Sequence, residues 1–383
     1  MNPESKHNLR EVLKDVGQAK GLPNQHYVDQ TVFKNEKNSL FFNNWAGIGF
    51  EKDVPKSGDA YPLYFMDIPI LIVRDHNSTI RTFQNTCRHR GMILIEKKET
   101  LRGIIRCPYH SWCYELNGDL RSTPHVGGAG YNIHPDIKKS ELSLHEIACF
   151  VWHGVIFINI SGNAKRFEEV HKSLIFRWKD FQQPLFHSGD DSSIEFSLNA
   201  NWKLAVENYC ESYHLPWIHP GLNSYSKLED HYNIEQAGLF SGQGSSFYRQ
   251  LKDKNGKVFK DFRDLSKKWE TGAEYISVFP NVLLGVHRDH TIAAVLLPKS
   301  PLKTLERIEI HYASKDSIDT CFSRLRKQNR SQWENIFEED IFVVEGMQKG
   351  RNGILFDGGR FSPIMDSPTH IFHKWVANNY EQP

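Results

Sequence analysis

The spacing of apolar residues changes near residue 160. From Leu40 to about that point they form short runs separated by Gly, Asn, Asp and Pro, which is typical of strands joined by tight turns. The runs are Leu63–Phe65, Pro69–Arg74, Thr79–Gln84 and Phe150–Ile160. This part of the chain is therefore predicted to be a small, stiff antiparallel β scaffold.

Further along, stretches of strand spacing and of helical spacing follow one another. We predict strands around Ser193–Leu198, Tyr275–Val286, Thr291–Pro298 and Ile308–Ala313. We predict helices over Asn8–Ala19, Trp202–His214 and Asp316–Gly350. The expected fold class is α+β, with an all-β domain and a second domain that combines an antiparallel β-sheet with helices.

The length of 383 residues predicts two or three domains. We expect an N-terminal helical arm over residues 1–40 that packs with the last domain. The all-β domain should cover residues 41–160 and the mixed domain residues 161–383. The change of pattern described above sets these boundaries.

The charge balance excludes some classes of partner. The chain has 47 basic and 46 acidic residues, a net charge of +1, so no global field attracts nucleic acid or an anionic membrane. The N-terminus lacks an apolar signal region, and no stretch is long enough to span a bilayer. We therefore expect a cytoplasmic protein without a nucleic-acid or membrane partner.

Two short loops in the β-rich part each offer one thiol and one imidazole. They are Cys87-Arg88-His89 and Cys107-Pro108-Tyr109-His110, a C-x-H … C-x-x-H pattern. A [2Fe–2S] centre with Cys on one iron and His on the other needs this mixed supply. Structural zinc is the alternative, but zinc fingers usually take both Cys from one segment and both His from another.

The residues around these loops resemble the Rieske cluster-binding motif, because the run reads CRHRG … CPYHSW. The resemblance implies a Rieske [2Fe–2S] cluster in which two Cys hold one iron and two His hold the other. The ligands that it implies are Cys87, Cys107, His89 and His110.

A second group of reactive side chains lies around residue 210. His214 and His219 stand close together, and Glu207 and Glu211 precede them. Two imidazoles and one carboxylate form the iron site of non-haem Fe(II) oxygenases. On a straight helix His219 would point away from His214, so we expect Pro216 to bend the chain there. Histidines that are merely hydrogen-bonded are the alternative.

The segment E-N-x-x-E-x-Y-H-x-x-x-x-H resembles the mononuclear iron segment of Rieske oxygenase α subunits. The resemblance then covers most of the chain and implies a catalytic domain of helix-grip, START-like fold. In that family the acid three residues before the first His passes electrons from a cluster to the iron, and here it is Glu211. Glu rather than Asp at this position is usual in the branch of choline, glycine-betaine and carnitine monooxygenases.

A carboxylate must complete the iron site, and the last predicted helix offers several. Its apolar face is formed by Trp333, Ile336, Phe337, Ile341, Val344 and Met347. Asp340 lies near the centre of that face, where a carboxylate needs a metal or a buried salt bridge. The motif E-D-x-x-x-x-E-x-x-Q-x-G again resembles the family. We predict that His214, His219 and Asp340 bind a mononuclear Fe(II).

The electrons for oxygen activation must come from another protein. Gly47-Ile48-Gly49 and Gly242-Gln243-Gly244 both lack the dinucleotide-binding fingerprint, so an NAD(P)H-dependent reductase of the flavin or ferredoxin type is implied. The family resemblance further implies a homotrimer. In it, electrons would pass from His110 of one chain through Glu211 to His214 of another.

Three interpretations of the function stay open. The first is a monooxygenase that hydroxylates a quaternary ammonium compound, which leads to demethylation or C–N cleavage. The second is an oxygenase of aromatic compounds, and the third is a Rieske electron carrier or a zinc-stabilised binding protein. Aromatic faces that could hold a quaternary nitrogen are Phe279, Tyr275, Phe247, Tyr248 and Trp217. His287–His290 is expected to be a hydrophilic turn, although it could meet a substrate carboxylate.

Overall fold

The computed structural model describes residues 9–381. They form two compact units. Ile48–Asn163 is called the small unit here, and the described residues up to Gly47 together with those from Ala164 onward are called the large unit. Within the described residues, no helix has the length and apolar character needed to cross a membrane.

The small unit is built from short antiparallel strands, which turn residues separate. One sheet has the order β1-β10-β9-β4-β3-β2-β5, and a second has the order β6-β7-β8. The strands are β1 (Ala46–Phe50), β2 (Asp59–Phe65), β3 (Ile68–Arg74), β4 (Ile80–Gln84), β5 (Glu99–Thr100), β6 (Ile104–Arg106), β7 (Cys113–Glu115), β8 (Leu120–Ser122), β9 (Glu146–Trp152) and β10 (Val155–Asn159).

The core of the small unit includes the thiols of both Cys/His loops. Cys87 and Cys107 are buried in one cluster with Phe83, Trp112 and Tyr114. Both thiols are thus buried in the same part of the core. Buried thiols that bind nothing are inert, so a function for this pair requires a ligand that the two sulfurs share. The loops gain stiffness from the sheets on which they stand.

The large unit has one antiparallel sheet, with the order β11-β17-β16-β15-β14-β13-β12. Its strands are β11 (Ser193–Leu198), β12 (His231–Gln236), β13 (Phe240–Ser245), β14 (Ala273–Val278), β15 (Val282–Val286), β16 (His290–Ser300) and β17 (Lys303–Tyr312). The helices are Gln25–Val28, Gln30–Glu36, Phe167–Val170, Lys172–Arg177, Trp202–Cys210, Leu215–Ile218, Pro220–Asn223, Ser323–Gly350 and Ser367–Glu381.

The α+β fold class is confirmed, but several element boundaries differ from the expectation. The predicted strand Tyr275–Val286 is two strands, because Pro280 and Asn281 turn the chain between them. The predicted strand Phe150–Ile160 is also two strands. His153 and Gly154 adopt the left-handed conformation and close a tight hairpin between them.

The predicted helices also begin and end elsewhere. The long helix begins at Ser323 rather than at Asp316, because two short 3-10 turns precede it. In the N-terminal arm the helix covers only residues 9–12 and turns follow, while Asn8 lies outside the described residues. The helix that starts at Trp202 ends at Cys210, four residues earlier than expected, and this difference shapes the site described next.

Candidate metal centres

The two Cys/His loops of the small unit share one backbone geometry. In each loop the Cys N–H donates to the carbonyl five residues later, over 2.8 Å, and the Cys carbonyl accepts from the N–H four residues later. The residue that gives this second N–H is left-handed in both loops, Gly91 with φ 73° and Ser111 with φ 59°. Each loop thus folds back on itself and presents its Cys and His side chains at one end.

The loops bring the four expected cluster ligands together. The thiol of Cys107 makes a hydrogen bond with that of Cys87, and the rings of His89 and His110 lie 4.7 Å apart between centroids. Nδ1 of His110 is buried without a hydrogen-bond partner. A buried ring nitrogen of this kind needs a ligand, so the set of two thiols and two imidazoles fits a [2Fe–2S] cluster.

Tyr114 adds a polar contact beneath the first loop. Its hydroxyl lies 3.2 Å from Sγ of Cys87 and accepts the backbone N–H of Arg88 over 3.0 Å. The oxygen already accepts a hydrogen bond from the N–H of Arg88, so its own O–H group is available to donate to the sulfur of Cys87. Burial and the contact with Cys87 raise the pKa of Tyr114, so it stays a neutral donor.

In the large unit, the structure brings His214, His219 and Asp340 together. One ligand atom from each lies within 4.8 Å of the other two. Nε2 of His214 is 3.6 Å and Nε2 of His219 is 3.0 Å from Oδ1 of Asp340. Two imidazoles and a carboxylate that converge in this way can hold one ferrous ion and leave further positions open.

Each imidazole is oriented from behind by a carboxylate. Nδ1 of His214 lies 2.7 Å from Glu211, and Nδ1 of His219 lies 2.6 Å from Glu339. A carboxylate at Nδ1 fixes the proton there and leaves Nε2 as the free ligand atom. Burial lowers the pKa of both histidines, but the carboxylates outweigh it and the net shift is upward. The site therefore attracts a positive charge.

Asp340 shows the same need for a cation. Its Oδ1 is buried and makes no hydrogen bond. In the described part of the chain, the charged partners within ion-pair distance of this carboxylate are the two histidines, with no Lys or Arg. This geometry speaks against the alternative of a buried salt bridge. A carboxylate in this position is satisfied by a metal ion.

The break between the two histidines falls earlier than Pro216. Glu211 has an extended backbone, φ −126° and ψ 161°, directly after the helix ends at Cys210. A separate short helix, Leu215–Ile218, then carries Pro216 in its first turn, where proline fits. Glu211 consequently points to His214. Glu207 does not point to His214; its Oε1 accepts a hydrogen bond from the hydroxyl of Tyr27 over 2.5 Å.

The candidate metal ligands and several aromatic side chains line one cavity. Besides the candidate ligands and Glu211, its lining includes Asn208, Tyr209, Leu222, Ser226, His231, Gln243, Tyr275, Trp333, Ile336 and Phe337. The hydroxyls of Tyr209 and Tyr275 are buried without a hydrogen-bond partner. His231 lies on the polar side, where its Nδ1 is 2.6 Å from Oε1 of Gln243.

Of the aromatic residues considered from sequence, only Tyr275 lines this cavity. Trp217 and Phe247 are 68% and 48% exposed, and Phe279 packs against Phe372. Tyr248 lies behind Trp333, with which it stacks at 6.5 Å. These positions rule out most of the aromatic candidates as cavity walls.

His287–His290 forms the expected turn between β15 and β16, closed by the N–H of His287 on the carbonyl of His290 over 2.9 Å, but its two histidines and Asp289 are buried rather than solvent-facing. His287 is buried and stacks on the ring of His290 at 4.5 Å. His290 bridges Asp289 and the indole N–H of Trp333, with distances of 2.6 and 3.0 Å. The segment therefore supports Trp333 from behind.

Sequence reasoning missed the polar side of the cavity, because it missed the strands β12 and β13 that carry it. Residues 240–245, FSGQGS, lack apolar alternation. A Cβ at Gly242 would lie 2.0 Å from the carbonyl oxygen of Tyr275, and one at Gly244 would meet the ring of Tyr232. The close packing of β13 against its neighbours therefore requires glycine at these two positions. Because glycine has no side chain, the alternation typical of a strand cannot be seen in the sequence. Tyr209 had a signal, since it lies between the two motif acids.

Comparison with known proteins identifies a domain family for each of the two parts of the chain. The family pattern described as Ring hydroxylating alpha subunit (catalytic domain) matches residues 184–382, and the Rieske [2Fe-2S] domain matches residues 44–139. The chain is 24% identical to choline monooxygenase of Arabidopsis thaliana, over 93% of this chain and 82% of that protein. It is 26% identical to putrescine 2-hydroxylase of Ralstonia nicotianae, over 96% and 98%.

Solved structures share the fold. The quaternary ammonium Rieske monooxygenase CntA in complex with L-carnitine aligns with a TM-score of 0.73 and 21% identity, covering 100% of this chain and 99% of that one. Naphthalene 1,2-dioxygenase from Rhodococcus sp. aligns with a TM-score of 0.78 and 19% identity, covering all of both chains.

The chain belongs to the ring-hydroxylating α-subunit family, that of the Rieske non-haem iron oxygenases. It has a Rieske [2Fe–2S] domain and a catalytic domain that binds mononuclear iron. The protein is thus an oxygenase component, and the electron-carrier and zinc-protein interpretations do not hold.

We predict that Glu339→Gln lowers the affinity of the catalytic unit for ferrous iron about 10-fold. The neutral amide still accepts from His219 but no longer raises the basicity of its ring. Iron titration of the iron-depleted protein measures the effect, and the neighbouring exposed Glu338→Gln serves as the control. Equal affinities in both variants would contradict the assigned role of Glu339.

Tyr114→Phe should lower the reduction potential of the cluster, by an amount on the order of tens of millivolts. The lost O–H donor no longer offsets the negative charge that reduction adds near Cys87. Potentiometric titration followed by EPR gives the value. Tyr109→Phe removes an exposed hydroxyl near the same cluster and should leave the potential almost unchanged; an equal shift would exclude the hydrogen bond as the cause.

Proposed function

We propose that this oxygenase hydroxylates a carbon next to the positively charged nitrogen of a quaternary ammonium compound, and that the product then loses a methyl group or its C–N bond. Cys87, Cys107, His89 and His110 hold the cluster in this proposal, and His214, His219 and Asp340 hold the iron. When bound, the ferrous ion activates O₂ with electrons that the cluster supplies. The chain's own residues position the ion, admit the substrate and orient it.

The observation that carries the proposal is the aromatic wall opposite the candidate iron ligands. Tyr209, Tyr275, Trp333 and Phe337 line the cavity together. Tyr209 and Phe337 stack at 6.4 Å, and Tyr209 meets Tyr275 edge-on at 6.3 Å. Such faces attract an alkylated cation through their ring quadrupoles. Glu211, usual in the quaternary ammonium branch, and the similarity to choline monooxygenase point to the same class.

Oxidation of an aromatic hydrocarbon is the second candidate, which the fold similarity to naphthalene 1,2-dioxygenase favours. The cavity lining makes it weaker. A hydrocarbon would leave the hydroxyls of Tyr209 and Tyr275 without hydrogen-bond partners among the described residues, and buried polar groups without partners are costly. A substrate with a charged or polar group suits this lining better.

The electron path that we propose runs between subunits of a homotrimer. A separate NAD(P)H-dependent reductase delivers electrons to the cluster of one chain, and His110 of that chain faces Glu211 of another. Glu211 is suited to this position, because its Oε1 lies at Nδ1 of His214 and its carboxylate also accepts the backbone N–H groups of Tyr213 and His214. The complete system would work in the cytoplasm.

Oxygen uptake with a surrogate reductase tests the substrate class. We expect stoichiometric product from at least one of choline, glycine betaine, γ-butyrobetaine or carnitine, with O₂ consumption coupled to it. Simple aromatic compounds should give neither. Turnover of the aromatic compounds alone would reverse the order of the two candidates.

The role of Glu211 has its own test. In Glu211→Ala, re-oxidation of the reduced cluster by O₂ and substrate should slow about 100-fold, because the bridge to His214 is lost. Stopped-flow absorbance follows the cluster. Iron content is measured in parallel, and Glu211→Gln separates loss of the bridge from loss of the iron, since the amide keeps a hydrogen-bond acceptor at Nδ1. Unchanged re-oxidation in the iron-loaded Ala variant would remove Glu211 from the path.

A further inference from the structure

Glu306 is a buried acid for which neither the fold nor the candidate iron site has a use. It lies on β17, where it pairs with Phe196 of β11 and Leu296 of β16. Its side chain shares one face of the strand with Ile308 and Ile310, by the alternation of strand residues. The residue is only 4% exposed.

No hydrogen bond or ion pair reaches the carboxyl group of Glu306 from the residues that the structure describes. The neighbouring acid of the strand that is equally buried, Glu309, is by contrast well supplied, with His187 at 2.8 Å and Ser193 at 2.7 Å. Burial, and then the negative charge of Asp340, raise the pKa of Glu306 to about 8. Such a group costs stability unless a cation joins it.

Glu306 lines a small cavity beside the cavity at the candidate iron ligands. This small cavity of about 20 Å³, enough for one water, is lined by Glu306 together with Leu283. Asn208, Tyr209, Phe337 and Asp340 line both this small cavity and the larger cavity at the candidate iron ligands. The two spaces therefore share part of their lining, and this shared wall is partly aromatic.

The hydroxyl of Tyr209 belongs to the same wall, so two buried polar groups there have no hydrogen-bond partner among the residues that the structure describes. The candidate iron ligands do not explain Glu306. The three side chains whose ligand atoms converge are His214, His219 and Asp340, and Glu306 is not among them. With a pKa of about 8 Glu306 is mostly neutral at pH 7, and a positive charge that enters the larger cavity with the substrate would favour its ionised form.

We propose that Glu306 is the counter-ion for the positively charged nitrogen of the substrate, acting across the wall that Tyr209 and Phe337 form. The aromatic faces then hold the alkyl groups of the cation, and the carboxylate behind them supplies the opposite charge in a poorly solvated site. This inference rests on the proposed function. It adds a residue that would select cationic over neutral molecules of the same shape.

Binding to the iron-loaded protein without O₂ tests this role, because it needs no turnover. Choline is compared with its uncharged carbon analogue, 3,3-dimethylbutan-1-ol, and putrescine is included as a cation with N–H donors. In Glu306→Gln we expect choline to bind about 10- to 100-fold more weakly while the neutral analogue binds as before. Glu306→Asp should keep most of the affinity, since it keeps the charge.

Glu309→Gln is the matched control, the same change on the other face of the same strand, and should leave both affinities unaltered. Iron content and the EPR spectrum of the nitrosyl adduct should be unchanged in Glu306→Gln. Equal weakening of choline and its neutral analogue, no weakening of choline, or loss of iron from this variant would each overturn the proposal.

The two cations and the wild-type protein distinguish this failure from failure of the proposed function. If wild-type protein binds choline or another quaternary compound but Glu306→Gln binds it equally well, only the role of Glu306 falls. If wild-type protein binds putrescine and no quaternary compound, the substrate class changes, and the counter-ion role stands only if Glu306→Gln weakens the binding of putrescine. If it binds no cation at all, both proposals fall.

Discussion

The catalytic unit is organised around Asp340, whose buried Oδ1 accepts no hydrogen bond from the described part of the chain. Oδ1 of Asp340 faces two imidazole nitrogens, and each imidazole is fixed from behind by a carboxylate of its own, Glu211 or Glu339. The arrangement concentrates negative charge at a point where water is scarce, which is costly without a cation. Much of the surrounding structure can be understood as what holds these groups in place despite that cost.

Three separate elements supply those groups, and each stops or bends where the site needs it. The helix Trp202–Cys210 ends one residue before Glu211, so that the extended backbone at Glu211 turns its carboxylate back to His214. The short helix Leu215–Ile218 then sets the interval to His219. The long helix Ser323–Gly350 contributes both Asp340 and Glu339. In the small unit, two loops of equal backbone geometry bring two buried thiols and two more exposed imidazoles together.

The buried acids of the large unit differ in how many hydrogen-bond and ion-pair partners they have. Glu207 and Glu309 are fully engaged by partners in the protein, among them Tyr27 and His187, and their role is to hold the fold. Asp340 has only the two histidines, and Glu306 has no partner at all among the described residues. An acid without a partner is a place where a ligand completes the structure, whether that ligand is a metal ion or the cation of a substrate.

Short-range patterns in the sequence were enough to identify the candidate ligands of both centres. The C-x-H … C-x-x-H spacing, the helical position of Asp340 within an apolar face, and the acid three residues before His214 are all short-range features that survive in any fold of this chain. They also led to the α+β class and the family. Element ends were less accurate, because Pro280, Asn281 and the turn at His153 divide runs that look continuous in composition.

Only the tertiary structure decided which side chains line the cavity together with the candidate iron ligands. His231 and Gln243 come from strands whose glycines are dictated by contacts with Tyr275 and Tyr232, far away in sequence, so no local pattern marks them. Glu306 likewise looks like one more polar residue in a strand until the sheet and the long helix enclose it. The sequence gives the chemical type of each side chain. Burial and the lack of a partner depend on residues that folding brings together, and these two properties single out Glu306.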